Sequence, residues 1–247
     1  MADIFDQFSL ATRSFVVTGG SSGIGRAMAG FLAQAGARVV LVARREQELI
    51  DAVAEINTGH ERATYVRADL REREQLGEIA ARCKSATPSG VVDGVVNAAG
   101  VNLRQPVDEV SSESWDATLN LNLAAPFFFT REFVPEMRAQ KYGRVINISS
   151  LQSVRAFPDG LPYGASKGGV GQLTRAMAEA WSRDGICCNA IAPGFIPTEL
   201  AAPVFADENY RDWAAQQTAI GRTSEVKDLA GVTIFLASPA SAYMTGQ

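Results

Sequence analysis

The chain has 247 residues, of which 47% are hydrophobic and 20% charged. These proportions exclude a disordered chain and supply enough apolar surface for a large core without disulfides or metal. The net charge of −4, from 23 basic and 27 acidic residues, removes the electrostatic basis for binding nucleic acid.

Along the chain, 14–17 is a short β-branched run that ends in Thr18-Gly19-Gly20, and 24–35 has helical spacing that stops at Gly36. The near-continuous apolar run 38–42 reads as a strand covered on both faces. A helix over 47–56, a strand over 64–66, a helix over 71–83 and a strand over 91–96 follow. The stretch 112–139 reads as one long helix bent at Pro126. Strand 144–148, helix 163–182, strand 187–191 and helix 225–237 complete the order. Alternating strands and helices specify one α/β domain over 1–247, a doubly wound parallel sheet with helices on both faces. The less periodic stretch at about 194–223, with Pro197 and Pro203, reads as a lid over a site. The chain stops at Thr245-Gly246-Gln247, so either the sheet lacks a last edge strand or residues lie beyond 247.

No apolar run approaches the ~18 residues of a membrane span. Residues 1–10 carry Asp3 and Asp6 where a secretory signal needs basic and apolar regions. The three cysteines, Cys83, Cys187 and Cys188, form no CxxC pair, and His60 is the single histidine, so no disulfide framework or metal site is expected. The expectation is a cytoplasmic protein with a small-molecule partner and neither nucleic acid nor membrane.

Thr18-Gly19-Gly20-Ser21-Ser22-Gly23-Ile24-Gly25 lies between the first strand and first helix. Glycines at that spacing let the backbone approach a pyrophosphate at a helix N-terminus. The bland alternative is a tight turn that binds nothing. At the end of the second strand, dinucleotide folds place a carboxylate for a ribose 2′-hydroxyl or an arginine for a 2′-phosphate. Here Arg44 and Arg45 follow Ala43, which favours NADP(H) over NAD(H) while leaving NAD(H) possible. The alternative is a pair of solvated arginines opening a helix.

Tyr163 and Lys167 stand four apart on one helix face. An adjacent ammonium, with a cationic nicotinamide, would bring a tyrosine with pKa about 10 into the range of acid–base work. Ser149-Ser150 follows a strand at its C-terminal end, where open α/β sheets bind ligands; ordinary loop capping is the alternative.

The order and spacing of Thr18–Gly25, Asn97-Ala98-Ala99-Gly100, Asn122, Ser150, Tyr163-x3-Lys167 and Pro193-Gly194 resemble the short-chain dehydrogenase/reductase family over nearly the whole chain. The resemblance implies a Rossmann-type sheet and a catalytic tetrad of Asn122, Ser150, Tyr163 and Lys167. In that tetrad Tyr163 is the acid/base, Ser150 orients the carbonyl, Lys167 binds the nicotinamide ribose and tunes Tyr163, and Asn122 holds a relay water. It implies cofactor contacts at Gly19, Ser21, Ser22, Gly23, Ile24 and Gly25, at Arg44, Asp69 and Leu70, and at Asn97, Ala98 and Gly100. Further contacts are implied at Tyr163, Lys167, Pro193, Gly194, Ile196 and Thr198. It also implies a homotetramer built through the long helix and the Tyr163 helix. Phe127-Phe128-Phe129 fits this, since three consecutive residues cannot all face the core.

Segments 101–106 and 146–153 are similar to those of gluconate 5-dehydrogenase-like members. That likeness implies a sugar acid or polyol substrate, with Arg104 pairing its carboxylate, Gln152 meeting hydroxyls, and Ser150 and Tyr163 at the carbonyl. Arg155 is the fallback cation. Phe195, Leu200, Val204 and Phe205 in the lid suit a more apolar ketone, so a 3-oxoacyl thioester reductase or general carbonyl reductase stays open. A non-catalytic nucleotide-binding module is the remaining alternative, disfavoured because all four tetrad positions are filled.

Overall fold

The computed structural model describes residues 4–247, without the side chains of Pro203 and Val204. Six parallel strands form one sheet in the order β3-β2-β1-β4-β5-β6: β1 Ser14–Thr18, β2 Arg38–Ala43, β3 Ala63–Arg67, β4 Gly94–Asn97, β5 Gly143–Ile148 and β6 Ile186–Ile191. Strand order reverses between β1 and β4, which opens a crevice at their C-terminal ends. Alternate side chains of each strand feed two cores. Phe15 and Val17 pack with α1 (Gly23–Gln34), α2 (Glu46–Ile56) and α10 (Ala230–Ala237) on one face. Val16 packs on the other face with α3 (Leu76–Ser85) and α7 (Leu161–Trp181).

The single long helix expected over 112–139 is in fact broken twice. Helix α4 (Ser112–Leu119) opens into a π turn over Asn120–Ala124, then α5 (Ala125–Arg131) and α6 (Val134–Ala139) follow. The cause is Pro126. It has no N–H for the carbonyl four residues back, that of Asn122, and the Ala125 N–H reaches Asn120 O across a wider turn instead. Pro135 sits in the first turn of α6, just past the second break. Within 127–129, Phe129 is fully buried. Phe127 stacks on Trp181 with ring centroids 6.3 Å apart, and Arg131 lies 5.2 Å from the Phe128 ring.

Two other boundaries moved. The helix expected from 71 begins at Leu76, because Asp69 accepts from the Arg71 backbone N–H at 3.0 Å and from its guanidinium, holding that stretch as a turn. The segment 194–223 is more regular than its sequence suggests, with a 3-10 turn at Glu199–Ala201, α8 (Ala202–Phe205) and α9 (Glu208–Gln216). Asp207 caps α9, its carboxylate accepting from the Asn209 N–H at 2.9 Å. At the other end of the sheet, Gly246 N–H donates to Cys188 O and Ala190 N–H to Gln247 O, each at 2.7 Å, so these last residues lie along the outer edge of β6. Among the described residues no helix is long and apolar enough to cross a membrane, and no group of His, Cys, Asp and Glu side chains is gathered to hold a metal.

Candidate active site

The crevice at the strand ends holds a cavity of about 530 Å³. Its floor is backbone. Gly19 and Gly23 have φ of 66° and 53°, where a side chain is strained. A Cβ on Gly19 would stand 2.9 Å from the Ala98 carbonyl group, and one on Gly25 would collide with the Gly19 carbonyl. Thr18 fixes this approach: its hydroxyl accepts from the N–H groups of Ala98 and Ala99 at 3.0 and 3.1 Å. Helix α1 starts here without a side-chain cap, because the Ser22 hydroxyl accepts from Arg45 at 3.1 Å instead. Its first-turn N–H groups are left to an anion.

Lys167, Tyr163 and Ser150 stand along one wall of this cavity. Lys167 is buried, and its ammonium donates to Ile148 O at 2.6 Å and lies 5.6 Å from the Tyr163 ring. Burial lowers its pKa from 10.5 to about 8. The Tyr163 hydroxyl is raised above its usual value by burial, against the opposing influence of a hydrogen bond with Ser150 and the charge of Arg104. Lys167 by itself does not depress Tyr163; the expected depression joins its ammonium to a cationic nicotinamide. The lysine's proton is directed at Ile148 O, and lowering the phenol would need the positive charge of a bound nicotinamide. Ser150 Oγ accepts from the Gln152 N–H at 3.1 Å, which orients the oxygen and leaves its own proton to donate elsewhere. Capping and site chemistry thus coexist in one residue. Ser149 is structural, donating to Lys167 O at 3.2 Å.

Asn122 is buried behind this wall. Its side chain donates to Val101 O at 2.8 Å and to Ser166 Oγ at 3.1 Å and accepts from the Val101 N–H at 2.9 Å, clamping the loop after β4 to α7. Its main-chain carbonyl belongs to the π turn and is the one that Pro126 cannot pair.

A second cavity of about 270 Å³ adjoins the first, and Ser150 and Tyr163 line both. Arg104 and Gln152 line it as well. Arg104 is exposed and has no ion pair among the described residues. The fallback Arg155 is occupied elsewhere: it donates to Gln217 at 3.0 Å, lies 5.2 Å from the Phe157 ring and lines a separate groove. The far wall is aromatic. Phe195 meets Phe157 at 6.0 Å, Trp213 at 5.6 Å and Tyr210 at 6.3 Å, all edge-on.

Of the residues expected to touch a cofactor, all line the larger cavity except Gly25 and Asn97. Gly25 is buried under the glycine turn. The Asn97 side chain faces the core, its amide donating to Thr130 Oγ1 at 2.9 Å and Asn147 Oδ1 at 2.8 Å. Of the apolar lid residues, Phe195, Leu200 and Phe205 line the smaller cavity, and the Val204 side chain lies outside the described residues. Sequence reasoning missed Phe157, Asp159, Tyr210 and Asn102 on that cavity. Asp159 carried a local signal, standing between Pro158 and Gly160 with φ of 58°.

The sequence matches the short chain dehydrogenase family over residues 13–209. It is 36% identical to the gluconate 5-dehydrogenase of Gluconobacter oxydans (strain 621H) over 98% of this chain and 94% of that protein. The fold superposes on a gluconate 5-dehydrogenase from Burkholderia cenocepacia J2315 in complex with NADP and tartrate, with TM-score 0.93, 35% identity, and 99% and 95% of the two chains covered. It also matches a 3-oxoacyl (acyl-carrier-protein) reductase from Agrobacterium tumefaciens C58 with NADP bound, with TM-score 0.92, 28% identity, and 99% and 95% covered. With the strand order, the glycine turn and the Ser150–Tyr163–Lys167 wall in place, these likenesses show that the chain belongs to the short chain dehydrogenase family.

Proposed function

We propose that this protein is an oxidoreductase that interconverts a secondary alcohol and a ketone on a sugar acid or related polyol, with NADP(H) preferred and NAD(H) accepted. The observation that carries the reading is that Ser150 and Tyr163 face two cavities at once. One is a glycine-floored cleft that fits a dinucleotide, and the other holds an arginine without a carboxylate partner. The close backbone approach at Gly19, the uncapped start of α1 and the arginines after β2 match the pyrophosphate and ribose ends of such a cofactor. When bound, the nicotinamide supplies or accepts the hydride.

The chain's own residues supply the rest. Tyr163, held neutral by burial, gives its hydroxyl proton to the ketone oxygen in reduction and takes one back in oxidation. Ser150 donates a hydrogen bond to the same oxygen. Lys167 sets a buried positive charge beside the phenol, and Asn122 holds a relay water through its main-chain carbonyl. Arg104 binds the carboxylate at the far end, equally in ground and transition states, while the reacting carbon meets Tyr163. The relatives named gluconate 5-dehydrogenase support the acid.

The aromatic wall of Phe157, Phe195 and Tyr210 favours a second reading, a 3-oxoacyl thioester or general carbonyl reductase. A panel of keto sugar acids, neutral polyketones and 3-oxoacyl thioesters, each with NADPH and NADH, separates the two. Preference for the acid supports the first, and turnover of the thioester alone supports the second. We also infer a cytoplasmic homotetramer. The three reduced, buried cysteines agree with the compartment. The half-exposed Phe127, Phe128 and Trp115 on α4 and α5 offer an aromatic face for a partner subunit.

A further inference from the structure

Two guanidinium groups border the larger cavity after β2, and their surroundings differ. Among the described residues Arg44 has one ion-pair partner, Asp69 at 3.9 Å, whose carboxylate is already held by Arg71 at 2.5 Å. Arg45 is committed. Its Nη2 lies 2.8 Å from Glu199 Oε2 in the lid, 154 residues away in sequence, and 3.1 Å from Ser22 Oγ. Its Nη1 lies 3.5 Å from Glu48. Ser22, Arg45 and Glu199 all line the cavity, so the ion pair ties the segment after β2 to the lid, and the Ser22 hydrogen bond ties both to the glycine turn. Glu199 is the one acidic lid residue on that cavity among the described residues.

We propose that Glu199 is a cofactor-selectivity residue. It neutralises Arg45, the second guanidinium on the cavity, which weakens the site's preference for a ribose 2′-phosphate over a 2′-hydroxyl. The proposal rests on the NADP(H) reading above. A phosphate arriving at Arg44 finds the second guanidinium already paired with a carboxylate. A hydroxyl at the same place, uncharged, loses nothing by that pairing. Both side chains are substantially exposed, so the effect is modest, about two- to fivefold in relative affinity. A Glu199 that only pinned the lid would alter both cofactors by the same factor, so the ratio isolates the electrostatic role.

The test is binding without turnover. Dissociation constants for NADPH, NADH, adenosine 2′,5′-bisphosphate and 5′-AMP are measured by calorimetry at fixed salt for wild type, Glu199→Gln, Arg45→Ala and the double variant. Glu199→Gln is expected to raise the NADPH:NADH affinity ratio about two- to fivefold, and the bisphosphate:AMP ratio with it. Arg45→Ala in the wild-type background is expected to change the ratio little, and in the Glu199→Gln background to cancel the gain. An unchanged ratio in Glu199→Gln, with both cofactors shifted equally, overturns the proposal and leaves Glu199 a lid tether. A wild type that binds NADH but neither NADPH nor the bisphosphate overturns the NADP(H) reading and this proposal together.

Discussion

Around the larger cavity the decisive groups are backbone. Gly19, Gly23 and the uncapped start of α1 are placed by strand ends, and Thr18 bonds the turn to Ala98 and Ala99. Around the smaller cavity they are side chains drawn from distant segments, namely Arg104 after β4, Gln152 and Phe157 after β5, Phe195 after β6 and Tyr210 on α9. A cofactor common to a family can be met by fixed backbone, whereas substrates differ and are met by groups that are easily exchanged. Ser150 and Tyr163 are the hydroxyl-bearing residues that belong to both.

The sharpest way to break this division is at the shared wall. Tyr163→Phe keeps the ring and removes the proton carrier. Turnover is expected to fall by about 10²–10⁴-fold, with NADPH affinity nearly unchanged by calorimetry. Retention of more than about a tenth of wild-type turnover removes Tyr163 from the acid–base role.

Next comes the floor. Gly25→Ala forces a methyl against the Gly19 carbonyl and is expected to cost about 1–3 kcal/mol of stability, read as a lower Tm, and to weaken both NADPH and NADH. Unchanged melting and binding would show that the turn is loose and that the cavity is not fixed by its backbone. A smaller effect is expected at the ribose end. Arg44→Ala should weaken NADPH about tenfold or more, the value of one charge-assisted hydrogen bond, and NADH much less. An unchanged ratio would move the phosphate to Arg45.

Across the neutral range the expected effect is smallest, and it grows on the alkaline side. Burial lowers Lys167 from 10.5 to about 8, so the ammonium is present below that value and is lost above it. Ketone reduction, which also uses the neutral Tyr163 hydroxyl, should hold its kcat/KM at lower pH and decline above about 8. The linked stability has the opposite sign. The folded-state pKa is depressed, so burial of the charge costs stability fully below about 8, and the cost is relieved as pH rises towards 10.5. A pH–rate profile flat through that window would exclude a role for the ammonium in the free enzyme.

Legibility in the sequence followed the same division. The six strands and the glycine turn were readable because parallel strands are continuous apolar runs and the turn has a fixed spacing. Tyr163, Lys167 and Ser150 were readable by resemblance. The break at Asn120–Ala124 was misplaced, since a proline frees the carbonyl four residues before it and the distortion appears there. Helix α9 escaped because its partly buried aromatics Tyr210 and Trp213 pack on Phe195 and not on the main core. The motif puts Asn97 at the strand end, and only the fold shows that its amide points into the core. The Arg45–Glu199 pair joins residues whose nearness only the folded chain reveals.

The central claim, that a sugar acid is held by Arg104 while its carbonyl meets Tyr163, is tested most directly by steady-state kinetics of wild type and Arg104→Ala. The two substrates are a keto sugar acid and a neutral ketone of equal length, with NADPH. Wild type is expected to prefer the acid. Arg104→Ala is expected to raise KM for the acid by about tenfold with kcat little changed, as loss of a charge-assisted contact made in both ground and transition states requires, and to leave the neutral ketone nearly unaffected. Equal changes for both substrates, or a wild type without activity on any keto sugar acid, would contradict that claim.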